Sequence, residues 1–493
     1  MSGSRIDQKP VRVSPALILA ALIVIAALLR FYRLGDWSLE ATEIFTLRDS
    51  LRLKLTNPRP LSYVLNYVLI RPFRPLDELG LRLLPAMFGV LTIPTFYVIT
   101  RRLIGAKAAL LGTLLLTFSA LHVFYSQFAR YWSLVMLLCA VYPYAFYLGV
   151  RYRDRAALSL GLVTAVVAAL AHPVSVLLAG GPAIWLSATY LRPALLKTLW
   201  ARRGFRWGAV ATGVLVALLT IRFIPLLQDW IAMHDRNPGF GQFLNRPKPN
   251  GLKQVAYLAA FSEGVTFPVV LGAAAGIFLL WRGRDRVLGQ FLTSLAVFPI
   301  AFITLLSVRT PVSTFYLVPT LPVFFIGAGV FLERMFEVEW KVRPQWMFPA
   351  VLTVIILTAG APTLVSQYRN GRRFDFRGVG HWMGKRVGHG DVVFSDQPMV
   401  LAHYLPEHRV QRLRRSGPLQ QSLDSLGTIG GGGALWVVAP APAHAFRTAL
   451  KEGGLARWMY DHCQMRNTVG VGRVDFRQQY LQVYRCPTSR QPR

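Results

Sequence analysis

LGLRLLPAMFGVLTIPTFYVITRR, residues 79–102, is an apolar run closed by two arginines, Arg101 and Arg102. Roughly 20 mainly apolar residues are what a helix needs to cross a hydrocarbon core of about 30 Å. The run has many counterparts. Others fall at about 14–31, 106–123, 131–150, 156–172, 174–191, 207–227, 263–281, 287–307, 315–332 and 347–365. About eleven such runs predict a polytopic α-helical membrane protein. The composition agrees: 53% of the 493 residues are hydrophobic and 16% charged, against about 25% charged in soluble chains. Arg30, Tyr32 and Arg33 follow the first run in place of a small-residue cleavage site, so it reads as a retained helix.

Lys and Arg number 55 against 23 acids, a net charge of +32. No nucleic-acid motif accompanies that excess, which argues against a nucleic-acid partner. The basic residues cluster instead in connectors: Arg5, Lys9 and Arg12, then Arg101-Arg102, Arg151 to Arg155, Lys197 to Arg206, Arg282 to Arg286, and Lys341 with Arg343. Counting every span once puts all six on one face. The excess of Lys and Arg in cytoplasmic loops makes that face, with the N-terminus, cytoplasmic. The other face then receives the loop 32–79, the turn 125–130, the loop 228–262 and everything after about residue 366. Domains are expected at 1–365, the membrane bundle, and at 366–493, a small soluble α/β domain on the periplasmic or extracellular side. Strands are expected at 391–395 and 434–440, and helices at 378–388 and 443–457. Gly430 to Gly433 read as a turn, since no phosphate-loop pattern follows them. Cys463 and Cys486 would share the oxidising side, so a disulfide and two unpaired thiols both stay open. No CxxC spacing occurs and no metal site is expected.

The loop 32–79 is too long for a simple connector. Two amphipathic pieces, about 39–55 and 61–72, flank Pro58 and Pro60, and they suit a membrane interface. The first contains WSLEATEIFT, residues 37–46, with Glu40 and Glu43 on one helical face. Glu40 follows Ser38, a natural cap, and helix-dipole stabilisation explains it well. Glu43 is explained less well by capping. A carboxylate under an interfacial roof suits a general base. Arg30, Arg33, Arg130, Arg222 and Arg309 end or begin spans on the same face. Singly, each reads as an arginine snorkelling into headgroups. Together they suit a phosphate, which the planar guanidinium grips through two oxygens. His172 reads first as a local hydrogen-bonding residue. Moving a group from a lipid-linked phosphate onto an acceptor hydroxyl or amine suits these groups well, as one of several readings the residues leave open.

Several motifs, in order, carry a resemblance. RFYRLG, WSLEATEIFTL, PRPLSYVLNYVLI, LGLRLLPAMFGVLTIP and YSQFARYWSL, within about 28–175, resemble the bacterial integral-membrane glycosyltransferases of the GT-C fold. These are the relatives of protein O-mannosyltransferases, aminoarabinose transferases and lipopolysaccharide-core galacturonosyltransferases. The resemblance implies a polyprenyl-phosphate sugar donor, a lipid, glycan or protein acceptor, the outer face of a bacterial inner membrane, no metal or other cofactor, and inversion at the sugar. It implies Glu43 as base or acceptor binder, Glu40 as substitute base, and Arg130 as phosphate holder with Tyr131 beside it. Arg309, His172 and Arg30 are further candidates for phosphate or substrate. The sequence departs from the family twice. Thr42 stands where relatives keep a catalytic Asp, and Phe128 where they keep an acid before Ala129-Arg130. Two further readings follow: a subunit that binds lipid-linked sugar without transferring it, and a transporter or flippase of such lipids. The second expects ionisable groups at mid-membrane, which these spans nearly lack.

Overall fold

The computed structural model describes residues 14–53, 60–190, 256–283, 285–307, 312–340, 344–371, 373–413, 434–440, 462–470 and 480–486. The expected span 207–227, Arg222, Arg309, Gly430 to Gly433 and the helix 443–457 lie outside those residues.

The apolar runs become helices. Ser14 caps α1 (Pro15–Phe31), and proline at its first position needs no hydrogen-bond partner there. Two short helices follow, α2 (Ala41–Leu51) and α3 (Pro60–Leu65), the latter continuing as a π-helical turn at Asn66–Ile70. α4 (Glu78–Ile104) is the run quoted first. Asp77 caps it by accepting from the Gly80 N–H at 2.7 Å. It ends at Gly105, whose φ of +84° favours glycine. α5 (Ala106–Thr117) and α6 (Ala120–Ser126) bend by 60° at their junction. α7 (Trp132–Cys139) and α8 (Tyr142–Tyr152) form one 21-residue apolar unit. α9 (Arg155–Ala171) and α10 (Leu177–Tyr190) follow. α11 (Ala256–Val265) and α12 (Phe267–Arg282) meet at 88°. α13 (Arg286–Ser307), α14 (Leu321–Glu337), α15 (Met347–Thr358) and α16 (Ala361–Asn370) complete the bundle.

Among the described residues, five helical units are long and apolar enough to cross a membrane, or seven if each bent pair is one span. The other expected spans correspond to α1 and α9, at 17 residues each, to α10, at 14, and to the run 207–227 outside the described residues. Small residues bring the helices together, as they do where packing replaces the hydrophobic effect. A Cβ on Gly112 of α5 would lie 2.6 Å from the Phe325 carbonyl of α14, and one on Gly327 of α14 would lie 2.6 Å from the Ala273 carbonyl of α12. Gly327→Leu therefore forces α12 and α14 apart. The expected result is loss of the monodisperse peak when the detergent-purified chain is run on a sizing column.

The C-terminal part is a mixed five-stranded sheet in the order β2-β1-β3-β5-β4. β1 (Val392–Ser395) pairs in parallel with β2 (Val410–Arg412) and β3 (Leu435–Pro440). β5 (Leu481–Cys486) runs antiparallel to β3 and to β4 (Gln464–Val469). Cys463 and Cys486 are disulfide-bonded, which settles the open pairing. The alternation of strand side chains divides the sheet into two faces. Val392, Phe394 and Val437 line one apolar cluster. Val393, Trp436, Val438 and Val483 line the other, under α17 (Phe376–Gly384) and α18 (Pro398–Tyr404). That second cluster continues into Leu39, Ile44, Leu81 and Leu84 of the N-terminal loop and α4. The sheet domain thus clamps the loop that holds the two glutamates. Tyr404 reinforces the clamp: its hydroxyl donates to Glu78 at 2.8 Å and accepts from the Leu39 N–H at 2.6 Å.

Candidate active site

Local chemistry fixes the entry to α2. Ser38, expected as the cap, donates its hydroxyl instead to the Phe374 carbonyl at 2.7 Å. Glu40 is the N-cap, and Glu43 at the third position reaches back to accept from the Glu40 N–H at 3.0 Å. This is the return half of a capping box. It explains why the helix starts where it does, and it gives Glu43 its local tether.

The long-range contacts of Glu43 are far stronger. Its carboxylate is fully buried. Arg82 of α4 grips both oxygens, Nε to Oε1 and Nη2 to Oε2, each at 3.0 Å. Arg373 adds Nη1 to Oε2 at 2.6 Å, and the Ala129 N–H donates to Oε1 at 2.7 Å. Every lone pair is spoken for. Arg82, itself buried, also donates to the carbonyls of Leu34, Trp37 and Ser38. One guanidinium therefore ties the loop, α2 and α4 together. Burial alone would raise the Glu43 carboxyl, but Arg373 and Arg82 outweigh it and hold it down at about 2. A group so acidic and so fully bonded is an anchor.

Glu40 is different. It is half-buried, with no ion-pair partner within bonding distance among the described residues. Burial raises its carboxyl, Arg373 opposes that, and the neighbouring Glu43 adds to the rise. The two acids, one helical turn apart, are thus pushed in opposite directions. That separation is what divides the roles of paired carboxylates in catalytic sites.

Arg130 lies against the same helix. Its Nη1 donates to the Thr42 carbonyl at 2.9 Å and the Thr46 hydroxyl at 3.2 Å, and Nη2 to the Tyr131 hydroxyl at 3.1 Å. No carboxylate lies within ion-pairing distance of it among the described residues, though Asp49 of α2 acts on its charge from farther off, and the side chain is half-exposed. Thr42 itself is exposed. Tyr131 packs against His172 with ring centroids 4.4 Å apart, and Trp132 against His172 at 4.9 Å, both tilted by 36°. His172 is buried and accepts the Val174 N–H on Nδ1, a local hydrogen bond of the kind expected of it. Phe128 meets Arg373, whose guanidinium lies 5.5 Å from the ring centroid. Arg30 sits elsewhere. It is buried inside the bundle, 2.7 Å from His122 Nδ1, and bonded to the carbonyls of Ala26 and Thr117. Glu43 meets the 128–132 segment at Ala129, Arg130 reaches Thr42 and Thr46 of α2, Tyr131 packs on His172, and Glu40 sits beside Glu43, while Arg30 contacts a different part of the bundle. Arg309 lies outside the described residues.

Two residues of the cage, Arg82 and Arg373, escaped the sequence reading. Arg82 carried a signal: a lone charge within an apolar run asks for a partner. Arg373 carried none beyond an ordinary basic doublet. No group of three or more potential metal ligands occurs among the described residues.

The sequence matches no family model and no curated protein. Solved structures resemble it in shape. ArnT from Cupriavidus metallidurans in the apo state aligns with a TM-score of 0.58 at 16% identity, over 96% of this chain and 99% of that one. The same protein bound to undecaprenyl phosphate gives 0.56 at 17%, over 95% and 97%. The fold is GT-C. The archaeal oligosaccharyltransferase AglB from Archaeoglobus fulgidus, in complex with an inhibitory peptide and a dolichol-phosphate, gives 0.54 at 13%, over 90% of this chain and 71% of that one. In this chain the helical bundle and the segment leading into the sheet both contribute to the Glu43 cage, through Arg82 and Arg373.

Proposed function

We propose that this chain is a membrane glycosyltransferase that moves a sugar from a polyprenyl-phosphate donor to a lipid, glycan or protein acceptor. The reaction takes place at the outer face of a bacterial inner membrane, with the sheet domain on that side. The observation that carries the reading is the division of the two acids: a caged Glu43 beside a Glu40 whose carboxyl is raised. In this scheme Glu40 takes the proton from the acceptor hydroxyl or amine. The freed oxygen or nitrogen attacks the anomeric carbon, the bond from that carbon to the phosphate oxygen breaks, and its electron pair leaves on the phosphate. Arg130, with Tyr131 beside it, meets that growing charge, the largest contribution a fixed cation makes to such a step. Glu43 positions Glu40 through its backbone N–H and holds the loop. The undecaprenyl and dolichol phosphates of the ArnT and AglB structures are in keeping with a donor of this class.

The test is transfer by the purified full chain from a labelled polyprenyl-phosphate sugar. Arg130→Ala is expected to cut kcat/KM for the donor by about a hundredfold, the loss of a charge-assisted contact of roughly 2–3 kcal/mol. Unchanged donor kinetics would remove Arg130 from the phosphate site. A second reading has support in Thr42 and Phe128, which leave the family's two acid positions without a carboxylate. It expects donor binding with no transfer, and the same assay separates the two.

A further inference from the structure

A cavity lies beside Arg373. It has a volume of about 530 Å³ and opens between the end of α1 and the start of the sheet domain. Arg33, Trp37, Arg369, Arg373, Arg377 and His381 line it, with Asp36 and Asp375 as its acids. Both acids are engaged. Asp36 pairs with Arg33 at 2.6 Å, and Asp375 caps α17 by accepting from the Gly378 N–H at 2.8 Å. Arg377 bonds the carbonyls of Gly35 and Asp36. Arg369 is exposed in the last turn of α16, and no acid pairs with it among the described residues.

Two residues that line this cavity carry buried donors that go unanswered. Arg373 is 3% exposed, and its Nη2 has no hydrogen-bond acceptor among the described residues. Its other nitrogens are used, Nε on the Gly371 carbonyl and Nη1 on Glu43. Trp37 is 8% exposed, and its Nε1 is unpartnered in the same way. Buried polar atoms are nearly always satisfied, so two orphaned donors on residues that line one basic cavity point to an acceptor that reaches them from it. Both can only donate. A cavity of this size holds more than one small ion. Arg33 and Arg369 follow or end apolar helices, the level at which phospholipid headgroups lie.

We infer that this cavity is a second anion site, which takes a phosphate group through Arg373 Nη2, Trp37 Nε1 and the guanidinium of Arg369. It is separate from the Glu40 and Arg130 site and stands independently of the transfer reading. Arg373 joins the two, because the guanidinium that receives the phosphate also neutralises Glu43. Occupation of one site therefore bears on the other, and the coupling is reciprocal.

The experiment reads binding alone. The full chain in maltoside micelles, which carry no phosphate, is titrated with inorganic phosphate against chloride at constant ionic strength, by calorimetry. One saturable site is expected. Arg369→Gln weakens it about tenfold and Trp37→Phe about fivefold, the loss of a charged and of a neutral donor respectively. Sizing profiles and thermal midpoints confirm that both variants fold. In a second arm, phosphatidylglycerol is mixed into the micelles. Competition with inorganic phosphate assigns the site to a lipid headgroup, and its absence assigns it to a soluble phosphate. No saturable binding of either probe overturns the inference, as does binding that both variants leave unchanged.

Discussion

Glu40→Gln removes transfer while the protein stays folded. The expected loss in kcat is about a thousandfold, within the 10²–10⁴ that a positioned general base contributes. Glutamine keeps the shape and the helix start, since the N-cap contact to Glu43 uses the backbone of residue 40. The thermal midpoint and the donor KM should therefore hold. The pH profile carries the sharper test. A base must be deprotonated, so kcat/KM falls as the pH drops through its pKa. Burial raises the Glu40 carboxyl, against the opposing pull of Arg373. The acidic limb should then lie above the ordinary carboxylate value of 4.5. In Glu40→Gln the residual rate should show no such limb. A limb near pH 2 would point to Glu43 instead, and wild-type rates in the variant would exclude Glu40 as the base.

The bundle was legible because each apolar run reports on itself. A window of 20 residues contains the whole argument for a span, and the described helices fall on those runs. Strands β1 and β3 were legible for the same reason. The helix bends were not, because the breaks at Phe118 and Thr266 depend on what packs around them. The site was legible only in part. Glu40, Glu43 and Arg130 lie in segments whose charge stands out against apolar surroundings. Their roles could not be read, because the deciding partners are remote: Arg82 is 39 positions from Glu43 and Arg373 is 330. Sequence spacing favoured Glu40 as the capping acid and Glu43 as the one in need of a role. Glu40 is indeed the N-cap, while Glu43 returns the capping contact and also receives both arginines.

Glu43→Gln, the second large effect, acts on the fold and on transfer together. Glutamine can still accept from the Ala129 N–H, but it carries no charge against Arg82 and Arg373. Breaking a buried pair from one side costs about 3–5 kcal/mol, because the stranded charge has no water to return to. Here the variant strands two. The expected result is a clear drop in thermal midpoint, with transfer lost because the loop that presents Glu40 is tied down by the same arginines. The sign of the pH dependence follows from the direction of the shift. Glu43 is lowered from 4.5 to about 2 in the fold. Its contribution is therefore complete above about pH 4.5 and fades as the pH falls toward 2, amounting to roughly 3 kcal/mol. Melting curves of wild type and variant between pH 7 and pH 2 isolate it. The gap between them should be widest at neutral pH and should close in acid. Equal midpoints at pH 7 would mean that the cage contributes no net stability, and full transfer by the variant would mean that it does not organise the site.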